Sequence, residues 1–469
     1  MAISTEQAIL NILKVYYVDK VQNLLFRNSP ILKEIGKMRV EGKEQRFPAI
    51  YSRGGAVAGD ATVAEAKSAS NVKNAEFQVV PGQLFSIFTY NAKEVQASLS
   101  KKGAYMKVAG NKAFAATEAF RKTLAAALYG RGYGEISMLA AGTTLTTSGT
   151  ATLTLSNSAI MKIDVGSTLV VKPSVSSSTI NAKLDVDAIN GNSVDVTVVS
   201  ATGGAYTTLA TDVLALDGSM DASGNPLLPV GLSGWLPAVA GRTGVNWTTY
   251  ITPTFFGVQR LINTEGLAGN FVDGAALSHT KKKDTVQALL QRCRRRGSTA
   301  DLIAMNDEDF LELSQEIETT NTYFTATSTK ESKKASVGIA EVSASFSTNF
   351  VDNIYDDPYL EKGVFYILDK NDLELWTYTN ADAVADGIAS NNPGKQNPEE
   401  FDNAGRENDP YKLLIDDFVT VEPAALTTNG SAVRVVLNFF GSFVVLNPSN
   451  AGVGLFHDAV TANITAYSL

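Results

Sequence analysis

The 469 residues are 44% hydrophobic and 19% charged, with a formal net charge of −8, one cysteine and two histidines. A chain of this length buries a core of its own and has room for about three domains. Its acidic balance argues against a surface built throughout to grip nucleic acid, Cys293 alone excludes an internal disulfide framework, and His279 and His457 leave almost no inventory for zinc binding or histidine acid–base work.

At the N-terminus, Ser4 and Gln7 fit a capping box, and Ile9, Leu10, Ile12, Leu13, Tyr16, Tyr17, Val21 and Leu24 follow at helical spacing. This predicts an amphipathic arm, stopped by Asn28-Ser29-Pro30 and followed by a strand over Glu44–Tyr51. The opening MAISTEQAIL lacks the basic stretch and apolar block of a secretory signal, and no apolar run approaches the roughly 18 residues that cross a bilayer, so synthesis and retention in a cytoplasm are expected. From Ser52 to Pro81 the chain turns to Gly, Ala, Ser and Thr. With so few large apolar residues it reads as a long two-stranded excursion whose order must come from outside itself. Gln83–Tyr90 then returns as a strand.

Ala104–Tyr129 predicts one long Ala-rich helix ending at Gly130. Tyr105, Val108, Ala109, Ala113, Ala116 and Phe120 share an apolar arc, with Lys107, Asn111, Glu118, Arg121 and Lys122 opposite. Phe114 falls within the polar arc. It is either a stray exposed aromatic or a residue covered by a second surface. Gly130-Arg131-Gly132-Tyr133-Gly134 follows a helix instead of joining a strand to one, so it reads as a flexible turn and not as a dinucleotide fingerprint.

Residues 139–230 are rich in Thr, Ser, Val and Gly. Alternation in Ala151–Leu155, Leu184–Ile189 and Val194–Val198, with the turn signal Asn190-Gly191-Asn192, predicts a small all-β domain spliced into the chain. After Gly231–Pro237 and a polar linker through Trp247, helix and strand alternate as in an α/β domain. Helices are expected over Asp284–Arg296, ended by Gly297, and over Asp307–Ile317, capped by Asn306. Strands are expected over Leu302–Met305, Val342–Phe350, Gly363–Leu368 and Leu373–Tyr378. Asp382–Pro410 reads as a surface loop, and Asp416–Pro423 and Ala432–Leu446 as closing strands.

Little of the sequence suggests chemistry. There is no phosphate loop, nucleophile elbow or zinc-binding HExxH helix, so an enzyme is not expected. Asp307, Glu308 and Asp309, or Asp352, Asp356 and Asp357, offer oxygen ligands, but helix-start acids and a solvated turn explain them better than a bound cation; no metal or cofactor is expected. Arg292, Arg294, Arg295 and Arg296 form the most basic spot, read as cations at a helix C-terminus or, joined with Lys281-Lys282-Lys283, as a charged contact surface. Cys293, between two arginines, is expected to be a small packing residue.

Several stretches in this order resemble the major capsid proteins of tailed bacteriophages. They are LLFRNSPILKEI (24–35), FPAIYSRGGAVA (47–58), the helix end LAAALYG (124–130), GLSGWLP (231–237), AMNDEDF (304–310) and VLNPSNA (445–451). The resemblance implies an α+β, Hong Kong 97-type capsid fold with an inserted all-β domain. Residues 1–45 would be the N-terminal arm, 46–90 the extended loop, 91–138 a peripheral domain with the spine helix, 139–230 the insert, 231–430 the axial domain and 431–469 a return to the peripheral domain. It further implies pentamers and hexamers closing into an icosahedral shell around double-stranded DNA, touched on its inner face without sequence specificity, with no membrane involved.

Arg53, Lys67, Lys73, Phe114, Arg292, Arg294, Arg295 and Arg296 become candidates for contacts between subunits. Lys67 and Lys73 lie in the loop that some relatives crosslink, without a crosslinking signature around them. Because the arm begins near Met1, a separate scaffolding protein or none is expected, beside portal and auxiliary capsid proteins. Assembly would take place in the host cytoplasm and the product would be the virion capsid. The alternatives are another self-assembling phage component, such as a tail tube or decoration protein, and a carbohydrate-binding or carbohydrate-processing protein. Trp235, Trp247 and Trp376 all lie outside the β block, which disfavours the last.

Overall fold

A computed structural model describes residues 31–40, 44–52, 57–67, 73–91, 108–239, 242, 244–320, 353–377, 420–426 and 432–458. Residues 1–30 of the N-terminal arm, the Val342–Phe350 strand, the 382–410 loop and Arg53 lie outside them. The chain divides into two compact units, one of residues 1–27, 83–125 and 377–441 and the other of residues 28–82, 126–376 and 442–469.

In the first unit, strand Thr420–Leu426 pairs antiparallel with strand Ala432–Val445, from Thr420 opposite Asn438 to Leu426 opposite Val433. The register slips between Glu422 and Ala425, around Pro423, which has no N–H to give the ladder. Strand Gly82–Asn91 also pairs with the long strand. The long helix, Val108–Leu128, sets the edge of Phe120 against Phe439, ring centroids 6.0 Å apart, and buries Leu124 and Ala125. Its end at Leu128, just before Gly130, agrees with the C-terminal signal. No helix among the described residues is long and apolar enough to cross a membrane.

The second unit holds two larger sheets. The first, of six antiparallel strands, runs in the order Glu135–Met138, Val213–Leu216, Thr168–Lys172, Ala182–Asn190, Ser193–Ala201 and Thr150–Thr154. Alternation drives it: Leu184, Val186, Val194, Val196 and Val198 are buried in one cluster. On the other face Thr152 donates to Asp195 at 2.7 Å and Thr197 to Asp187 at 2.6 Å. Asn190 pairs with Ser193 across a two-residue turn in which Gly191 has φ +59°, as the Asn-Gly signal predicts.

The second sheet has five strands in the order Asn270–Asp273, Gly452–Leu455, Val364–Leu368, Leu302–Met305 and Asn353–Asp356, with both outer pairs parallel. Helices Lys282–Arg295 and Asp307–Thr320 accompany it, and Val286, Leu289, Leu290, Cys293 and Leu313 share a core with Ile303, Met305, Phe365, Ile367 and Phe456. Gly454 is required there: a Cβ would meet the Phe365 ring at 2.2 Å. Because Gly452–Leu455 lies inside this sheet, the boundary expected at residue 431 does not separate the end of the chain from the α/β layer.

Two further expectations change. The Gly130–Gly134 turn is held, not free, since Gly231, Leu228 and Leu216 N–H groups donate to the carbonyls of Gly130, Gly132 and Gly134 at 3.0, 3.1 and 2.9 Å. Strand Gln45–Ser52, which leads into the 52–81 excursion, pairs with strand Lys73–Val79 inside it. Between them stands a short helix, Ala61–Lys67, whose Thr62 N–H is capped by Asp60 Oδ1 at 2.7 Å.

Candidate assembly surface

This hairpin is anchored by aromatic packing. Phe47 and Phe77 are cross-strand partners, stacked at 5.2 Å, and Phe77 is fully buried. Trp235 packs against Phe77 at 5.2 Å, Phe255 at 5.0 Å and Phe256 at 5.4 Å, while Trp376 meets Phe47 edge-on at 5.5 Å. Trp235 Nε1–H donates to the Phe443 carbonyl at 2.7 Å, which fixes the indole. Gln78 N–H donates to the Phe256 carbonyl at 2.8 Å, and Asn263 Nδ2 to the Tyr51 carbonyl at 3.0 Å. The base of the excursion is therefore ordered by residues of the same chain that lie outside it, Trp235, Phe256 and Asn263.

Gly231 makes the anchor possible. A Cβ there would sit 2.2 Å from the carbonyl oxygens of Ala127 and Leu128, backbone atoms that cannot swing aside. The Gly231–Trp235 segment therefore lies directly on the end of the long helix.

Away from the anchor the hairpin exposes large apolar side chains: Ile50 is 68% and Val57 89% accessible. Leu261, at 50%, and Ile262, at 61%, join them next to the Asn263–Tyr51 bond. Ile50, Leu261 and Ile262, grouped by sequence around the Asn263–Tyr51 bond, offer an apolar patch suited to contact. Lys67 ends the short helix and Lys73, exposed, begins the second strand, so these two candidates share the hairpin. Arg46 bonds to Glu44 and lies 3.7 Å from Glu76, exposed pairs that add little stability. Phe114 lies in the long helix, its side chain outside the described residues.

The arginine cluster divides. Arg292 donates to the Phe271 carbonyl and Arg296 pairs with Glu265, while Arg294 is half-buried and Arg295 exposed. Lys282 does not belong to a basic surface at all. It is buried, paired with Asp309, Glu312 at 2.7 Å and Asp458 at 3.2 Å, and Asp309 Oδ2 also accepts the Gly363 N–H at 2.7 Å. Burial penalises its ammonium, but the bonds to Asp309 and Glu312 and the charge of Asp458 outweigh that and hold its pKa above the ordinary lysine value. The three carboxylates converge like metal ligands, and the ammonium already supplies their cation.

Asn306 caps its helix, its Oδ1 accepting the Glu308 N–H at 2.9 Å. Asp357 accepts the Tyr129 hydroxyl at 2.8 Å and the Tyr359 N–H at 3.0 Å, so it serves the core and not a solvated turn.

Two arginines, Arg260 buried and Arg242 half-buried, carried no sequence signal beyond the aromatic residues nearby. Arg242 donates to the carbonyls of Gly269, Ala268 and Pro237 at 2.6, 2.9 and 3.3 Å and lies over the rings of Trp247 and Phe271. Arg260 donates to the Gly234 carbonyl at 2.8 Å and lies over Phe255 at 4.1 Å, tying the aromatic anchor to the following loop. Burial lowers both pKa values, yet guanidinium stays charged at neutral pH.

Cys293 is fully buried, and burial pushes its thiol up to about 12. The folded chain should therefore leave a thiol reagent unconsumed at pH 8 and consume one equivalent after denaturation. Rapid reaction of the native chain would contradict this.

No family model and no curated relative matches the sequence. Among solved structures, the chain is similar to one in the capsid asymmetric unit of cyanophage A-1(L), with 12% identity, a TM-score of 0.50, and coverage of 98% of this chain and 99% of that one. It also matches an encapsulin from Synechococcus elongatus at 8% identity and TM-score 0.43, covering 99% and 98% of the two chains. A third match is the capsid of a native GTA particle, at 8% identity and TM-score 0.45, covering 97% and 98%. Across nearly its whole length, this chain has the fold of a phage capsid chain, the likeness to tailed-phage major capsid proteins that its sequence suggested.

Proposed function

We propose that the chain is the major capsid protein of a tailed phage, a Hong Kong 97-type subunit forming the pentamers and hexamers of an icosahedral shell around double-stranded DNA. The likeness of fold to the cyanophage capsid chain over 98% of its length carries this reading. In it, Val108–Leu128 is the spine helix and the 45–79 hairpin is the extended loop laid over a neighbouring subunit. The role is structural: repeated burial of Ile50, Val57 and the nearby Leu261 and Ile262 holds subunits together, and contacts weak singly multiply over a closed symmetric shell. Lys67, Lys73 and Arg53 lie on or beside that loop and Phe114 on the spine helix, where a neighbour's segment would cover it. Arg294 and Arg295 serve contacts in the axial region, whereas Arg292 and Arg296 are engaged within their own chain. A scaffolding protein, a portal and auxiliary capsid proteins are the further partners, with DNA inside, assembly in the host cytoplasm and the virion capsid as destination.

Electron microscopy and sedimentation velocity test this, on the chain alone and coexpressed with its neighbouring genes. Closed shells or rings of five and six are expected; a stable monomer under both conditions, or open tubes, overturns the reading. Ile50→Asp with Val57→Asp should leave circular dichroism unchanged while raising the concentration needed for assembly by on the order of tenfold or more, since charges would be desolvated at every contact. Unaltered assembly would remove the hairpin from the interface.

A further inference from the structure

The six-stranded sheet ends on strand Thr150–Thr154, and among the described residues nothing pairs with that strand's outer side. Its inner side is fixed. Leu153 is buried in the cluster that fills the insert, Ala151 packs against it, and the pairing with Ser193–Ala201 runs unbroken from Thr150 opposite Thr197 to Thr154 opposite Ser193. The Gly149 carbonyl accepts the Val198 N–H at 2.8 Å and the Leu155 N–H donates to the Asn192 carbonyl at 2.9 Å, so the odd-numbered residues turn their backbone groups inward. By the two-residue period of a strand, the N–H and C=O of Thr150, Thr152 and Thr154 point away from the sheet, and all three residues are exposed.

Proteins guard an open edge of this kind with charge, proline or a bulge, because an unguarded one is a template for another strand. This edge has none of them between Thr150 and Thr154, and residues 136–161 carry no charged side chain and no proline. The rest of the 139–230 block is acidic, with seven aspartates against three lysines, all from Lys162 onward. Charge is therefore kept off the edge, not scarce in the domain. A neutral edge gives a strongly charged partner strand nothing to recognise, whereas it lets a second copy approach without meeting its own charge. Threonine at alternate positions is also self-complementary: turned antiparallel about Thr152, the strand sets Thr152 opposite Thr152 and Thr150 opposite Thr154, cross-strand pairs that suit hydroxyl side chains. Thr152 Oγ1 donates to Asp195 at 2.7 Å, which fixes its side chain and leaves its oxygen able to accept.

We propose that Thr150–Thr154 pairs antiparallel with the same strand of a second copy, on a two-fold axis through Thr152, and so joins two inserts into one continuous sheet. Each facing pair of threonines exchanges two N–H···O bonds, and the isologous geometry closes at two copies. Five residues a side make a contact far smaller than the roughly 1,200–2,000 Å² of a stable pair, so it is weak in dilute solution and gains force where copies are already held close together. The pairing depends on the insert alone and needs no capsid.

The full chain carrying Ile50→Asp and Val57→Asp keeps hairpin contacts out of the measurement, whether or not the capsid reading holds. From about 10 μM to about 1 mM, the range in which so small an interface associates, sedimentation velocity should show a dimer. Residue-resolved amide exchange should slow about fivefold at Thr150, Thr152 and Thr154 over that range, while Ala151 and Leu153, bonded within the sheet, stay protected throughout. In the same background, Thr152→Lys and Thr152→Glu each set like charges face to face and should weaken the dimer by on the order of tenfold, with circular dichroism unchanged. Mixing the two variants should restore it, since opposite charges then meet on the axis, a rescue that an unfolded strand could not give. A dimer indifferent to both substitutions, no rescue on mixing, or no slowing at the three threonines overturns the proposal. Slowing that appears only when another protein is added assigns the edge to a different strand and overturns it too.

Discussion

Replacing Lys282 by methionine should lower stability by about 3–5 kcal/mol, read as a shift in urea midpoint, because removing one partner of a buried ion pair leaves the other charge uncompensated. The position makes no sense as a helix residue. Lys282 opens helix Lys282–Arg295, where the dipole disfavours a cation. It makes sense as the centre of a charge node joining the two helices of the α/β layer to strand Gly452–Leu455, with Asp309 and Glu312 on one helix and Asp458 just past that strand. Its ammonium also lies 4.8 Å from the Phe456 ring.

The loss has a pH signature. A lysine whose folded pKa is raised contributes stability fully present below its unfolded value near 10.4 and lost as pH rises through the folded one, so the wild type should weaken more in that alkaline range than Lys282→Met, in which Lys183 and Lys362 still contribute. In the variant, buried Asp309 becomes the unpaired charge. Adding Asp309→Asn keeps an acceptor for the Gly363 N–H while removing that charge, and should restore more than half of the loss. No destabilisation in the single variant, or no recovery in the double, would mean that the node is an incidental surface network.

The node also marks what could be read from the sequence and what could not. Local rules sufficed where structure is local. The end of the long helix before Gly130, the Asn306 cap, and the alternation and Asn-Gly turn of the inserted sheet each depend on a few neighbouring residues. Lys282 was hidden because three consecutive lysines look like solvated surface, and only the distant partners Asp309 and Asp458 make the middle one a core residue. Gly452–Leu455 was placed wrongly for a similar reason, since its pairing with Asn270–Asp273 and Val364–Leu368 joins segments far apart in sequence. The small-residue composition of the excursion hid both the helix Ala61–Lys67 and the anchoring role of Phe77. Of the basic candidates, Lys67 and Lys73 share the hairpin, whereas Arg292 and Arg296 are engaged within their own chain. Side-chain type predicts exposure well, but partners decide it.

Trp235→Ala should cost about 3–5 kcal/mol, the range for emptying an aromatic core site, and would in addition leave the Phe443 carbonyl without its donor. Trp235→Phe keeps most of the ring packing and loses only the N–H, so about 1–3 kcal/mol is expected. Where the damage falls matters more than its size. Phe47 and Phe77 pack directly on the indole, so amide exchange should quicken across Gln45–Ser52 and Lys73–Val79. The six-stranded sheet has a separate hydrophobic cluster without Trp235 and should stay protected. On the capsid reading, a hairpin loosened at its base still presents Ile50 and Val57, but must lose more conformational entropy on docking, so assembly should weaken even at temperatures where the subunit remains folded. Shells that form at wild-type concentration from a chain with a fast-exchanging hairpin would show that the neighbouring subunit, not the aromatic anchor, imposes the hairpin's order. Weakened assembly with the sheet still protected would place pre-organisation of the hairpin within the assembly mechanism.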